Sequence, residues 1–276
     1  MADPLPPLFL ATAIEAVTRA GETQLASVGT GVRIDKKGAI DLVTEIDLKI
    51  EREFRQMIAE RFPNHTVLGE EFGSSGDRDA VAPYCWVFDP VDGTTNFAHG
   101  LPIFCSSLAL EIDGEIAVGA IYDPTRRELF TAERGHGAWL NGRPLRVSSE
   151  DTLLDSLLVT GFHYGIQRDP EELVSLFREF IKRSRAVRRL GSAALDMCYV
   201  GAGRFDGYWE SKIQPWDVAA GALIVAEAGG RVSTISGDLF RSRAGSVIAT
   251  NGRIHDLMLE VINGFRDGRR APNRTH

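Results

Sequence analysis

Residues 86–97 read Trp86-Val87-Phe88-Asp89-Pro90-Val91-Asp92-Gly93-Thr94-Thr95-Asn96-Phe97: an apolar run ending at a carboxylate, a proline, a second carboxylate and a glycine. The apolar run predicts a buried strand, and the residues after it predict a sharp turn into a new element. Asp89 and Asp92 stand three apart across Pro90, so a kinked chain lets both carboxylates converge on one hard cation or bridge two. Gly93 lets the backbone come close, and if Thr94 and Thr95 open a helix, their N–H groups form a phosphate-sized anion site beside the cations. Asp-Pro and Asp-Gly are also among the commonest turn dipeptides, so this chemistry needs support from elsewhere in the chain.

That support lies on both sides. Gly69-Glu70-Glu71 closes another short apolar run and Pro215-Trp216-Asp217 opens a helix, placing further carboxylates at element ends, where the active sites of layered α/β folds gather. Ile46, Ile50, Phe54, Met57 and Ile58 share one helical face over Glu45–Arg61, and Thr44-Glu45-Ile46-Asp47 fits a capping box at its start. Residues 106–112 and 115–122 flank Asp113-Gly114, a hairpin signal. Apolar spacing predicts helices over 8–25, 170–182, 192–200, 218–228 and 254–265, a strand near 205–209, and a charged turn at 35–38. No repeat or linker interrupts this alternation, which predicts a single α/β domain over residues 1–276, with an irregular leader at 1–7 and a frayed tail at 267–276.

Composition sets outer bounds. The chain has 276 residues, 43% of them hydrophobic, and a net charge of -7, which argues against direct binding to nucleic acid or an anionic membrane. Cys85, Cys105 and Cys198 are far apart and form no CxxC pair, consistent with reduced thiols and a cytoplasmic address. The longest apolar run, 218–226, is too short to cross a bilayer. There is no HExxH or other zinc spacing, the acidic stretch lacks the alternating oxygens of an EF-hand, and neither a GxxxxGK[ST] loop nor a dinucleotide fingerprint is present. An all-carboxylate set suits magnesium or manganese.

Four separated motifs, Asp41-Leu42-Val43-Thr44-Glu45-Ile46-Asp47, Gly69-Glu70-Glu71, the stretch 89–97 and Trp216-Asp217-Val218-Ala219-Ala220-Gly221, follow one another as they do in the inositol monophosphatase family, which the chain resembles over 41–230. The resemblance implies a five-layer α-β-α-β-α sandwich of the inositol monophosphatase and fructose-1,6-bisphosphatase type. It also implies a homodimer with two or three Mg2+ ions per site, Mn2+ being a substitute. Glu70, Asp89, Asp92 and Asp217 match the metal side-chain ligands, with the Val91 carbonyl as a further one. Asp47 and Thr94, with Glu70, match the groups that position and deprotonate the attacking water. Gly93 and Thr94 match the backbone donors to phosphate, while Gly191, Ser192, Ala193 and Glu210, together with Asp92 and Asp217, match the segments around the substrate. The implied reaction is hydrolysis of a small phosphate monoester, myo-inositol 1-phosphate foremost, with lithium inhibition. The same metal core also serves fructose-1,6-bisphosphatase, 3′-phosphonucleotide phosphatase and histidinol phosphatase, and some bacterial relatives bind the transcription machinery. Ser192 stands where the family commonly has threonine, and Lys36-Lys37 matches its lysine loop only approximately.

Overall fold

The structure is a computed structural model that describes residues 5–30, 34–36, 42–75, 83–168 and 170–270. Its centre is an eight-stranded sheet. From edge to edge the strands are Arg143–Pro144, Gly137–Leu140, Glu128–Glu133, Glu115–Asp123, Cys105–Ile112, Tyr84–Asp92, Thr66–Gly69 and Gly73–Ser74. All neighbours run antiparallel except Thr66–Gly69 and Tyr84–Asp92, which are parallel. Side chains alternate along each strand. Trp86, Phe88, Leu108, Leu110, Val118 and Ala120 face helices Pro7–Ser27 and Glu45–Arg61, where they meet Phe9, Val17, Ile50, Phe54 and Ile58. Val87, Cys105, Ala109 and Ile121 face the other way. Strands buried on both faces read as unbroken apolar runs, which is why 86–88 and 106–112 stand out in the sequence.

Helices Ala193–Gly201 and Pro215–Glu227 lie against that second face, and their sequences are apolar nearly all round. They are sandwiched, because Val159, Tyr208, Val247 and Ala249 of a second sheet close over them from the far side. That sheet has five strands, in the order Ala186–Arg188, Leu157–Thr160, Gly207–Ser211, Ser246–Thr250 and Arg231–Ser233. Leu158, Trp209 and Ile248 on its outer face pack against Leu176 and Phe180 of helix Glu171–Ile181 and Ile254, Met258 and Ile262 beside and within helix His255–Arg270. The layers therefore run α-β-α-β-α. Among the described residues, no helix is long and apolar enough to cross a membrane.

Several sequence expectations need correction. Pro7 is not leader but the first residue of the opening helix, a position that needs no N–H. The last helix continues to Arg270 instead of fraying at 267. Asp35 and Lys36, read as the start of a charged turn, lie in the strand Ile34–Lys36, which pairs antiparallel with Leu42–Thr44. Residues 1–4, 37–41 and 271–276 lie outside the described residues, and with them Lys37, Asp41 and most of the leader and tail.

Candidate active site

The strand Tyr84–Asp92 extends through both acids, and its register against Cys105–Ile112 shifts between them: Asp89 faces Ser107 and Asp92 faces Cys105. Pro90 and Val91 on one strand thus oppose Ser106 alone on the other, a bulge that re-aims the side chains around it. Pro90 sits in this bulge, donating no hydrogen bond, while its carbonyl accepts from Gln24 Nε2 and Ser106 Oγ, both at 2.8 Å. The Val91 N–H donates to Asp89 Oδ1 at 2.9 Å. Gly93 then takes φ 92°, and a Cβ there would lie 2.9 Å from the Ile103 carbonyl oxygen, so conformation and space both require glycine. The short helix Thr94–Ala98 follows at once, and the N–H groups of its first turn have no carbonyl one turn earlier.

Asp217 arrives from the middle layer in the first turn of helix Pro215–Glu227, where its Oδ2 accepts the Gln214 N–H at 3.0 Å. Carboxylate oxygens of Asp89, Asp92 and Asp217 all lie within 4.8 Å of one another. Burial and then Glu70 hold the Asp89 carboxyl well above the usual carboxylate range, and burial and then Asp92 do the same to Asp217. Burial also raises Asp92, though only to about 6, because Ser192 Oγ at 2.5 Å and the Ala194 N–H at 2.8 Å donate to its Oδ2. Such a set of mutually repelling hard oxygen donors fits a hard dication, whose charge removes the penalty. Glu70 follows the strand Thr66–Gly69 and lines the same cleft, but stands outside the closest triplet.

Asp47 is fully buried at the third position of helix Glu45–Arg61. Its Oδ2 accepts the Thr44 N–H at 3.0 Å and the Thr44 hydroxyl, so the capping box read from the sequence is present. Its Oδ1 lies 3.4 Å from Thr94 Oγ1, which also reaches the Val91 carbonyl at 2.9 Å. Capping and a role beside Thr94 are thus divided between two oxygens of one carboxylate.

The cleft has a volume of about 730 Å³, and its lining includes Gly93, Thr94, Gly191, Ser192, Ala193 and Glu210. Ser192 is nearly fully buried, and its hydroxyl is engaged by Asp92. Glu210 Oε2 accepts the Tyr208 hydroxyl at 2.7 Å, and burial lifts its carboxyl to about 7. Arg189, Lys212 and Asp196 also line the cleft. Arg189 and Lys212 bring positive charge to an otherwise acidic cleft. Asp196 is 1% exposed and, among the described residues, neither oxygen has a hydrogen-bond partner; burial first and then Glu210 push its carboxyl far upward. No sequence signal marked Asp196, since an acid in an apolar helix reads as a solvent-facing residue until the sheet covering it is known. His163 also lines the cleft, with its Nδ1 accepting the Gly165 N–H at 3.0 Å.

The family model described as the inositol monophosphatase family matches residues 8–264. An inositol-1-monophosphatase of Synechocystis sp. is 44% identical over 255 residues, covering 92% of this chain and 88% of that one. The Nus factor SuhB of Pseudomonas aeruginosa is 39% identical over 258 residues, covering 92% and 95%. Among solved structures, the inositol monophosphatase of Anabaena (Nostoc) sp. superposes with a TM-score of 0.84 at 40% identity, covering 93% of this chain and 96% of that one.

Proposed function

The chain belongs to the inositol monophosphatase family and is a phosphatase, and from that premise we propose that it hydrolyses myo-inositol 1-phosphate to inositol and phosphate with magnesium as its metal. The observation that carries the reading is the convergence of Asp89, Asp92 and Asp217 beside the Gly93–Thr94 turn. In this proposal Glu70, Asp89, Asp92, Asp217 and the Val91 carbonyl hold two or three ions. When bound, the ions supply the Lewis acidity that makes water nucleophilic near neutral pH and offset the charge of the phosphate and the leaving oxygen. The remaining work falls to the chain. Thr94 Oγ1 accepts a proton from the attacking water and passes its own to Asp47 Oδ1, 3.4 Å away. The Gly93 and Thr94 N–H groups hold the phosphate oxygens, and rigid placement of these donors lowers the barrier because none must reorganise during attack. Glu210, oriented by Tyr208, accepts hydroxyls of the alcohol and disfavours a second phosphate. Arg189 and Lys212 draw the anion in against the net charge.

A panel of myo-inositol 1-phosphate, fructose 1,6-bisphosphate, adenosine 3′,5′-bisphosphate and histidinol phosphate tests this. The inositol ester should have the highest kcat/KM, and a clearly faster turnover of any other member would reassign the substrate. A cytoplasmic homodimer inhibited by lithium belongs to the same proposal, and sedimentation and a lithium titration check its last two parts. The likeness to a Nus factor favours one second reading, a protein-interaction role. A pull-down with Asp92→Asn separates the two, because a partner that binds independently of the metal site stays bound to that variant.

A further inference from the structure

Helix Glu45–Arg61 carries Asp47 in its first turn, then Glu51 and Arg55 at successive turns behind it. Glu51 is fully buried. Its carboxylate accepts from Arg55 Nε at 2.8 Å, Arg55 Nη2 at 2.7 Å, the Glu71 N–H at 2.7 Å and the Phe72 N–H at 3.2 Å. Arg55 also donates to the Gly73 carbonyl and, like Arg52, lies over the Phe72 ring, at 5.8 and 5.4 Å respectively. A Cβ on Gly69 would fall 2.1 Å from Glu51 Oε1, so the strand end can close over this carboxylate only because residue 69 is glycine. What these bonds fasten is the turn between strands Thr66–Gly69 and Gly73–Ser74, the turn that delivers Glu70 to the cleft.

Apolar packing would hold helix to sheet at least as well as a buried ion pair, because desolvating two charges offsets most of their attraction. Carboxylate bonds to two successive backbone N–H groups do something packing cannot, which is to fix the rotation of one peptide turn. We propose that Glu51 and Arg55 are positioning residues for Glu70, setting where its carboxylate stands relative to Asp89 and thereby the affinity of the site for its dication. The inference rests on the metal reading given above.

The test is Mn2+ binding to the full chain, followed by electron paramagnetic resonance, for wild type, Glu51→Gln, Arg55→Lys and the control Arg61→Ala, with thermal unfolding measured on each. Arg61 pairs with Glu15 at 2.6 and 3.0 Å in the last turn of the same helix, away from the cleft. Glu51→Gln should weaken Mn2+ binding about 10- to 100-fold, the usual effect of losing a residue that orients a ligand, and Arg55→Lys should act in the same direction. Arg61→Ala should change unfolding alone. Both clamp variants binding Mn2+ as tightly as wild type, with only a lower Tm, would overturn the proposal. Should Glu51→Gln fail to fold, Arg55→Lys decides, since it leaves a cation beside the buried carboxylate. Absence of Mn2+ binding by wild type would overturn the metal reading itself, an outcome distinct from any difference among variants.

Discussion

Asp47 divides its carboxylate between a helix cap and the Thr94 hydroxyl, and substitution separates the two uses. Thr44→Ala removes the cap and should cost about 1 kcal/mol of stability with near-normal turnover. Asp47→Asn keeps an oxygen for the cap but cannot take the proton, so kcat should fall by about 100-fold or more with little change in Tm. Equal kinetic loss in both variants would mean that Asp47 acts only through the helix. The acids of the triplet also make the metal compete with protons. Burial raises Asp92 to about 6 and holds its two neighbours well above the usual carboxylate range, so lowering the pH sets protons against metal at these carboxylates. Apparent metal affinity should therefore fall by at least about tenfold per pH unit below about 6, a trend that calorimetric titration at several pH values would check. Much of this was legible in the residues themselves: two acids across a proline, and an acid in the first turn of each of two helices. Asp196 and Glu51 were not, because nothing in a helical pattern tells an acid covered by a sheet from one in water.

At the scale of elements, the strand, bulge, glycine and short helix over 84–98 form the unit on which the site is built. Gly93→Ala would place a side chain at φ 92° and against the Ile103 carbonyl, and it should destabilise by about 1–3 kcal/mol. Activity should fall with it, and denaturant unfolding beside kinetics would measure both. The sequence marked this element as strand followed by turn. The structure instead carries the strand through both acids, since a bulge preserves pairing that dipeptide statistics assign to a turn. Short strands such as Glu128–Glu133 and Arg231–Ser233 left no mark, because their pairing depends on distant partners more than on their own residues. The outer layer offers a prediction unrelated to catalysis. His255, at the start of the last helix, is fully buried between Ser233 Oγ at 2.9 Å and Thr250 Oγ1 at 3.0 Å, and burial first, then Arg231, lower it to about 4. The unfolded chain binds that proton near pH 6.5, so the neutral ring's stabilising contribution is complete above about 6.5 and is lost as pH falls through about 4. His255→Gln should narrow its stability gap from wild type by on the order of 3 kcal/mol between pH 7 and 4. A gap independent of pH would show that the ring is not held neutral.

Across the whole molecule, the layers explain why acids so distant in sequence meet. Glu70 follows the strand Thr66–Gly69, Asp89 lies on its parallel neighbour Tyr84–Asp92 one residue past the Gly69–Phe88 pair, and Asp217 lies in the first turn of a helix on that sheet. The middle helices are apolar on every side because sheets cover both of their faces, and this packing fixes the start of helix Pro215–Glu227 against the strand end. Alternating strands and helices disclosed layers, but not which sheet each strand joins, since strand order is set by pairing across long separations. The proposed activity requires one arrangement: carboxylates from separate layers sharing dications beside the Gly93–Thr94 turn. Anomalous diffraction from crystals soaked in Mn2+ tests it most directly. Manganese should be bonded to oxygens of Asp89, Asp92 and Asp217, with Glu70 beside it; an ordered crystal with no manganese at these residues, or with manganese bound elsewhere, would contradict the proposed site.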